Sequence, residues 1–148
     1  MPVIYDMLHQ DHEKVKHALT QILDTTDGAE KTREKLFSQV KHDLELHTKF
    51  EEEVFYPNFR EAKHDQEAKE EVKDALNEHD EAKSMLSEME KMDKTSDDFV
   101  EKVQKLKSAL EHHISDEEDE MFPQARKTMS DEDAQAMGDR YQQFKQQH

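Results

Sequence analysis

Apolar residues recur along this chain at steps of three and four, the signature of helices with one buried face. Ile4, Leu8, Val15, Leu19 and Ile22 form the first such stripe and predict a helix from about Val3 to Leu23. Thr25-Thr26-Asp27-Gly28 then reads as a turn. Leu36, Val40 and Leu44, resuming at Val54 and Phe55, predict a second helix from about Ala29 to the region of Pro57. Pro57 should end or kink it, because proline lacks the backbone donor and its ring clashes one turn back. A third helix is expected from about Gln66 to Met92, with Val72, Leu76, Leu86 and Met89 facing in. Lys94-Thr95-Ser96-Asp97 is a connector in which Ser96 or Asp97 can cap the next helix. That fourth helix runs from about Asp98 to Met121, with Phe99, Val103, Leu106 and Leu110 inward. Ser130-Asp131-Glu132-Asp133 looks like the cap of a short fifth helix, about 130–146, with Met137, Tyr141 and Phe144 on one side to pack on the bundle. Long helices joined by short connections predict an all-α fold: an up-down-up-down antiparallel four-helix bundle, about 3–126, with a short C-terminal fifth helix.

Composition agrees. The chain has 148 residues, a length that suits one domain over 1–148, with only two glycines and three prolines among many good helix formers. Charged residues make up 39%, so the core must be assembled from the stripes alone. The net charge of −16 argues against nucleic acid and against anionic membrane surfaces as partners. It suits a well-solvated surface or a host with a salty cytoplasm. The absence of cysteine removes disulfides, thiolate metal sites and cysteine nucleophiles. Apolar runs are too short to span a membrane and no signal peptide is visible, so a cytoplasmic location is expected.

The stripes contain gaps, and the gaps hold polar residues. Between Leu8 and Val15 the inward position falls on His12, and between Leu44 and Val54 it falls on His47 and Glu51. Between Leu76 and Leu86 it falls near His79 and Ala82; after Leu110 it falls on His113 and Glu117. A single core histidine is ordinarily one bonded to a backbone carbonyl. Glutamate is almost never fully buried unless it is paired or binds a metal. Four histidines and two glutamates in one small core would be very costly without a cation, and these donors suit iron, zinc or manganese.

Spacing adds to this. His47 and Glu51 lie four residues apart, as do His113 and Glu117, which places each pair on one helix face, one turn apart. The segment from His47, HTKFEEEVFYP, recurs from His113 as HISDEEDEMFP, 66 residues later, and Asp11-His12 recurs as Glu78-His79. Helices one and two therefore repeat as helices three and four. Two facing copies make a pseudo-twofold axis, a natural place for two metals. His112 falls out of register with His47 and is expected at the surface.

This set of residues resembles the hemerythrin-like HHE cation-binding domain, with the match running from about Leu8 to Pro123. The resemblance implies that His12, His47, His79 and His113 are terminal iron ligands. It implies that Glu51 and Glu117 bridge two irons together with an oxo or hydroxo group; the same ligands suit manganese or zinc. Ferritin-like di-iron proteins use Glu-x-x-His instead, and the one such spacing, Glu61 to His64, falls past Pro57 in an expected connector. Oxygen-carrying hemerythrins, which this chain also resembles, have a fifth histidine one turn from the third-helix ligand, where this chain has Ala75 and Lys83. Each metal would then keep more than one open position, which favours reaction over simple storage. His9 could be a spare ligand but reads better as a surface or outer histidine, and Tyr5 and Tyr56 read as core or rim aromatics.

The expected function is a monomeric non-haem di-iron protein that binds or senses dioxygen, nitric oxide or peroxide, as a freestanding stress-response protein. The alternative is an enzyme that detoxifies peroxide or nitric oxide, or a donor of iron for cluster repair. A bundle with a vestigial or zinc-binding set ranks below both.

Overall fold

The computed structural model describes residues 3–26 and 29–148. Asp27 and Gly28 of the expected turn lie outside the described residues. Helix α1 spans Ile4–Leu23 and α2 spans Glu30–Phe50. A five-residue π-helical segment, Glu51–Phe55, continues α2 into α3, Tyr56–Lys63. Helix α4 spans Gln66–Glu90, and α5 spans Asp97–Asp116. A second π-helical segment, Glu117–Met121, leads into α6, Phe122–Thr128; α7 spans Asp131–Gln147. No strand occurs among the described residues.

Caps follow the sequence. Ser96 accepts from the Phe99 N–H and starts α5, Asp65 does the same for α4 through Ala68, and Ser130 for α7 through Asp133. Helices α1, α2, α4 and α5 form the antiparallel bundle, and α7 lies along α1 and the end of α2. Tyr141 of α7 stacks on Phe50 with ring centroids 4.5 Å apart.

The expectation that Pro57 ends the second helix is corrected; the helix is instead locally distorted just ahead of the ring. The chain stays helical through Pro57 to Lys63, and likewise through Pro123 to Thr128. In both copies the turn before the proline widens: Tyr56 N–H reaches Glu51 O and Phe122 N–H reaches Glu117 O. An i to i+5 turn moves away the carbonyl that the proline ring would otherwise strike. Two stripe positions also shift: Phe37 rather than Leu36, and Ala75 rather than Leu76, are the buried residues, with the leucines part-buried beside them.

The core falls into two apolar clusters. One gathers Ile4, Leu8, Phe50, Phe55, Phe59, Phe122 and Tyr141 at the proline end. The other gathers Leu19, Ile22, Phe37, Val40, Phe99 and Leu106 at the opposite end. What separates them is a polar layer.

Candidate metal centre

Each long helix crosses that layer once. In α1, His12 lies between Leu8 of one cluster and Val15 of the other; in α2, His47 follows Leu44 and precedes Phe50. In α4, His79 stands between Ala75 and Ala82; in α5, His113 stands between Leu110 and Met121. Glu51 and Glu117 open the two π segments. The structure brings all six residues together, none more than 6% exposed.

Every imidazole is held from behind by a carboxylate on Nδ1. His12 meets Glu118 at 2.6 Å, His47 meets Asp11 at 2.9 Å, His79 meets Glu52 at 2.9 Å, and His113 meets Glu78 at 2.8 Å. An ionised carboxylate only accepts, so Nδ1 carries the proton and donates it. Each Nε2 then points inward, toward the other halves of the site. His12 Nε2 lies 3.3 Å from Glu117 Oε1, and His47 and His79 Nε2 each lie 3.2 Å from Glu51 Oε1. His79 and His113 Nε2 face each other at 3.2 Å.

These inward atoms lack ordinary partners. Nε2 of His12 and His47, both oxygens of Glu51 and Oε1 of Glu117 are buried without a hydrogen bond, although the ion-pair distances are short. When both rings are neutral and donate from Nδ1, the facing Nε2 lone pairs of His79 and His113 cannot bond to one another. Ligands about 2.1 Å from a metal sit roughly 3.0–3.4 Å apart in octahedral or tetrahedral arrangements, which the observed separations match. Leaving such a set without counter-charge costs several kcal/mol per ion.

Protonation follows the same charges. Burial works against a proton on His47, but the charge of the nearby Glu51 carboxylate and the hydrogen bond to Asp11 outweigh it and lift the ring to about 10. Burial likewise opposes a proton on His113, and Glu117 and Glu78 override it, raising the ring well above its ordinary value. His12 and His79 are raised in the same way by their glutamates. Burial would lift Glu117, yet the close His113 and His12 rings hold it well below the usual carboxylate range. Protons on the imidazoles here stand in for the positive charge that a cation would supply.

The residues fit a cation, and they divide into two groups. One atom from each of His12, His47, Glu51 and Glu117 lies within 4.8 Å of the others, and the same holds for Glu51, His79 and His113. Glu51 belongs to both groups, so it could join two ions. The backing carboxylates would fix ring tautomer and orientation, a common arrangement behind metal-bound histidines.

Tyr56, read in the sequence as a core or rim aromatic, reaches the site: it donates to Glu117 Oε2 at 2.6 Å and stands 3.1 Å from His79 Nε2. Other contributors were not singled out in the sequence. Asp11, Glu52, Glu78 and Glu118 were visible only as neighbours of the repeated histidines and glutamates. Asp11 also accepts from the Tyr141 hydroxyl and, at 2.7 Å, from Lys145, both on α7. His9 is exposed and holds the far oxygen of Glu118 at 2.6 Å. His112 is exposed on α5. Tyr5 packs against Phe55 and Phe122 with its hydroxyl unpartnered, and Arg126 lies 4.8 Å over its ring. Glu61 and His64, expected in a connector, lie at the end of α3 with both side chains exposed, and His64 caps it with left-handed backbone, φ 37°.

Similarity to known proteins agrees with this geometry. Residues 3–125 match the model of the hemerythrin HHE cation-binding domain. A protein of Nostoc sp. described as a DNA nickase is 29% identical over 129 residues, covering 87% of this chain and 35% of its own. An uncharacterised hemerythrin-like protein of Schizosaccharomyces pombe is 29% identical over 145 residues, covering 98% of this chain and 70% of its own. This chain thus spans about a third of the first relative's length. The crystal structure of a hemerythrin HHE cation-binding domain-containing protein from Mycobacterium kansasii superposes with a TM-score of 0.79 at 23% identity, over 97% of this chain and 88% of that one. At that identity the likeness is one of fold. With the family model spanning most of its length, this chain belongs to the hemerythrin HHE cation-binding domain family.

Proposed function

We propose that the protein, acting as one domain and as a monomer, holds two irons and binds or senses dioxygen, nitric oxide or peroxide. His12 and His47 would hold one iron and His79 and His113 the other, with Glu51 and Glu117 as the carboxylates that, with an oxo or hydroxo group, would join them. The observation that carries this reading is the inward set of Nε2 and carboxylate atoms at ligand spacing, of which those of His12, His47 and Glu51 and one oxygen of Glu117 are buried without a hydrogen-bond partner. When bound, the iron pair supplies redox chemistry and open coordination positions. The chain's own residues orient the rings through four carboxylates, place the Tyr56 hydroxyl beside His79, and close the two ends of the centre with the apolar clusters.

The enzyme reading is favoured by one feature, the Tyr56 O–H. It donates to Glu117 Oε2 within the centre, and would serve a reacting group as a proton donor by turning away from that carboxylate. The nickase description of the Nostoc relative applies to a much longer chain. A net charge of −16 works against binding nucleic-acid phosphate.

The reading is tested by spectra and turnover on the same sample. A ferric pair gives near-ultraviolet charge-transfer bands, which respond reversibly to a bound ligand in a carrier or sensor. Sustained gas release from peroxide, or steady consumption of nitric oxide, marks the enzyme. A spectrum without such bands after iron loading rejects both.

A further inference from the structure

On the histidine side of the centre the bundle is not filled. A cavity of about 370 Å³ is bounded by the four imidazoles and by Val15, Leu44, Ala82, Leu86, Leu110 and Ile114. Glu51 and Glu117 are not among its lining residues, so it meets the centre from the imidazole face. Exposed Glu45, Glu81 and Ser108 mark its solvent edge.

Its size exceeds what a diatomic or hydrogen peroxide needs. A water takes about 30 Å³ of liquid, so the chamber has the volume of about a dozen such molecules. A dry apolar cavity of roughly 150 Å³ already accepts benzene, and pockets for small organic ligands begin near about 300 Å³.

Its charge selects further. Asp11, Glu45, Glu78 and Glu81 lie in the lining, and its one lysine, Lys83, is held by both oxygens of Glu52, at 3.2 and 2.9 Å. An anion would meet repulsion there. Asp11 and Glu78 are committed to His47 and His113, and Glu45 to Lys41 at 3.0 Å, so little is left to draw an ammonium group.

We propose that this chamber binds a neutral, largely apolar organic molecule of about ten non-hydrogen atoms with one terminal oxygen function, of the hydroperoxide or alcohol class. The oxygen end lies against the imidazoles and the body against the aliphatic wall. Only the partner of the oxygen end rests on the metal-centre reading; the fit of the body rests on the cavity.

The test titrates 2-phenyl-2-propanol, the alcohol counterpart of cumene hydroperoxide, into the purified protein by calorimetry, with metal analysis of the same sample. Saturable binding near one per chain with Kd of about 1 mM or tighter is expected for a ligand of this size. Cumene hydroperoxide competes for the same site, and the corresponding carboxylate, 2-methyl-2-phenylpropanoate, binds at least about tenfold more weakly. Ala82→Phe fills the chamber, and Ala109→Phe narrows its part-buried rim where folding is less at risk. Each variant weakens the alcohol by about tenfold or more with metal content and optical spectrum unchanged. No saturable binding of the alcohol, undiminished binding in a folded variant, or preference for the carboxylate overturns the proposal. Protein that lacks metal yet binds the alcohol supports the chamber and counts against the metal centre, so the two readings fail separately.

Discussion

The two halves of the centre come from one repeated unit, yet they are finished differently. Behind His47, Asp11 is gripped by Tyr141 and Lys145 of α7. Its counterpart behind His113, Glu78, has among the described residues only the exposed His112 as a further charged partner, at 3.7 Å. Facing the centre, the position after the π segment is Phe122 in one copy, stacked beside His12, and Tyr56 in the other, whose hydroxyl donates to Glu117 Oε2. The His12/His47 side is therefore pinned from outside and left with free carboxylate oxygens inside. On the other side Lys83 holds Glu52 behind His79, His113 is the looser ring behind, and Glu117 is shared with a phenol. The repeated unit supplies the six inward residues, and the differences at Tyr56, Phe122 and α7 set its two halves apart.

The harshest way to break this comparison is to remove what both halves share. Glu51→Ala should lose at least one metal per chain, since no nearby carboxylate can replace it; normal metal content would refute the bridging role. Next come the backing carboxylates. Asp11→Asn should weaken metal binding by about 10- to 100-fold, and Glu78→Gln by clearly less, because water can reach the half-exposed Glu78. Competition with a chelator measures both, and equal losses would erase the asymmetry.

Protons give an intermediate effect. His47, lifted to about 10 without metal, keeps its Nε2 proton at neutral pH, so a cation must displace it. Metal affinity should then rise with pH, by about tenfold per unit for each proton released, and level off near pH 10. The sign is opposite for the metal-free fold. A raised folded pKa contributes full stability below the ordinary 6.5 and loses it as pH climbs through about 10. Thermal midpoints across that range should fall for stripped protein and hold for loaded protein.

Smaller still is Tyr56→Phe, which frees Glu117 Oε2. Metal titration should show two unequal steps in the parent protein and a gap narrowed severalfold in the variant; unchanged steps would remove Tyr56 from the account. His112→Ala should leave metal content as it is.

The bundle and the six inward residues were legible because apolar stripes at helical spacing expose their own interruptions. His12 between Leu8 and Val15 is such an interruption, and the repeat at 66 residues doubled the signal. The helices through Pro57 and Pro123 were not legible, since the proline rule assumes an α turn and the widened turn ahead of each ring is set by three-dimensional packing. The backing carboxylates were masked by abundance: with 37 acidic residues, Asp11 or Glu118 looks like any solvated surface acid until a ring nitrogen is found behind it. Tyr141 reaching Asp11 depends on how α7 docks, which a stripe of Met137, Tyr141 and Phe144 locates only to a face.

The most direct measurement is the metal-to-protein ratio of the chain purified without added metal and then titrated anaerobically with ferrous ion. Two equivalents bound tightly per chain, falling to one or none in Glu51→Ala, is the result this account predicts. A chain that binds no iron, or binds it equally well without Glu51, would contradict it.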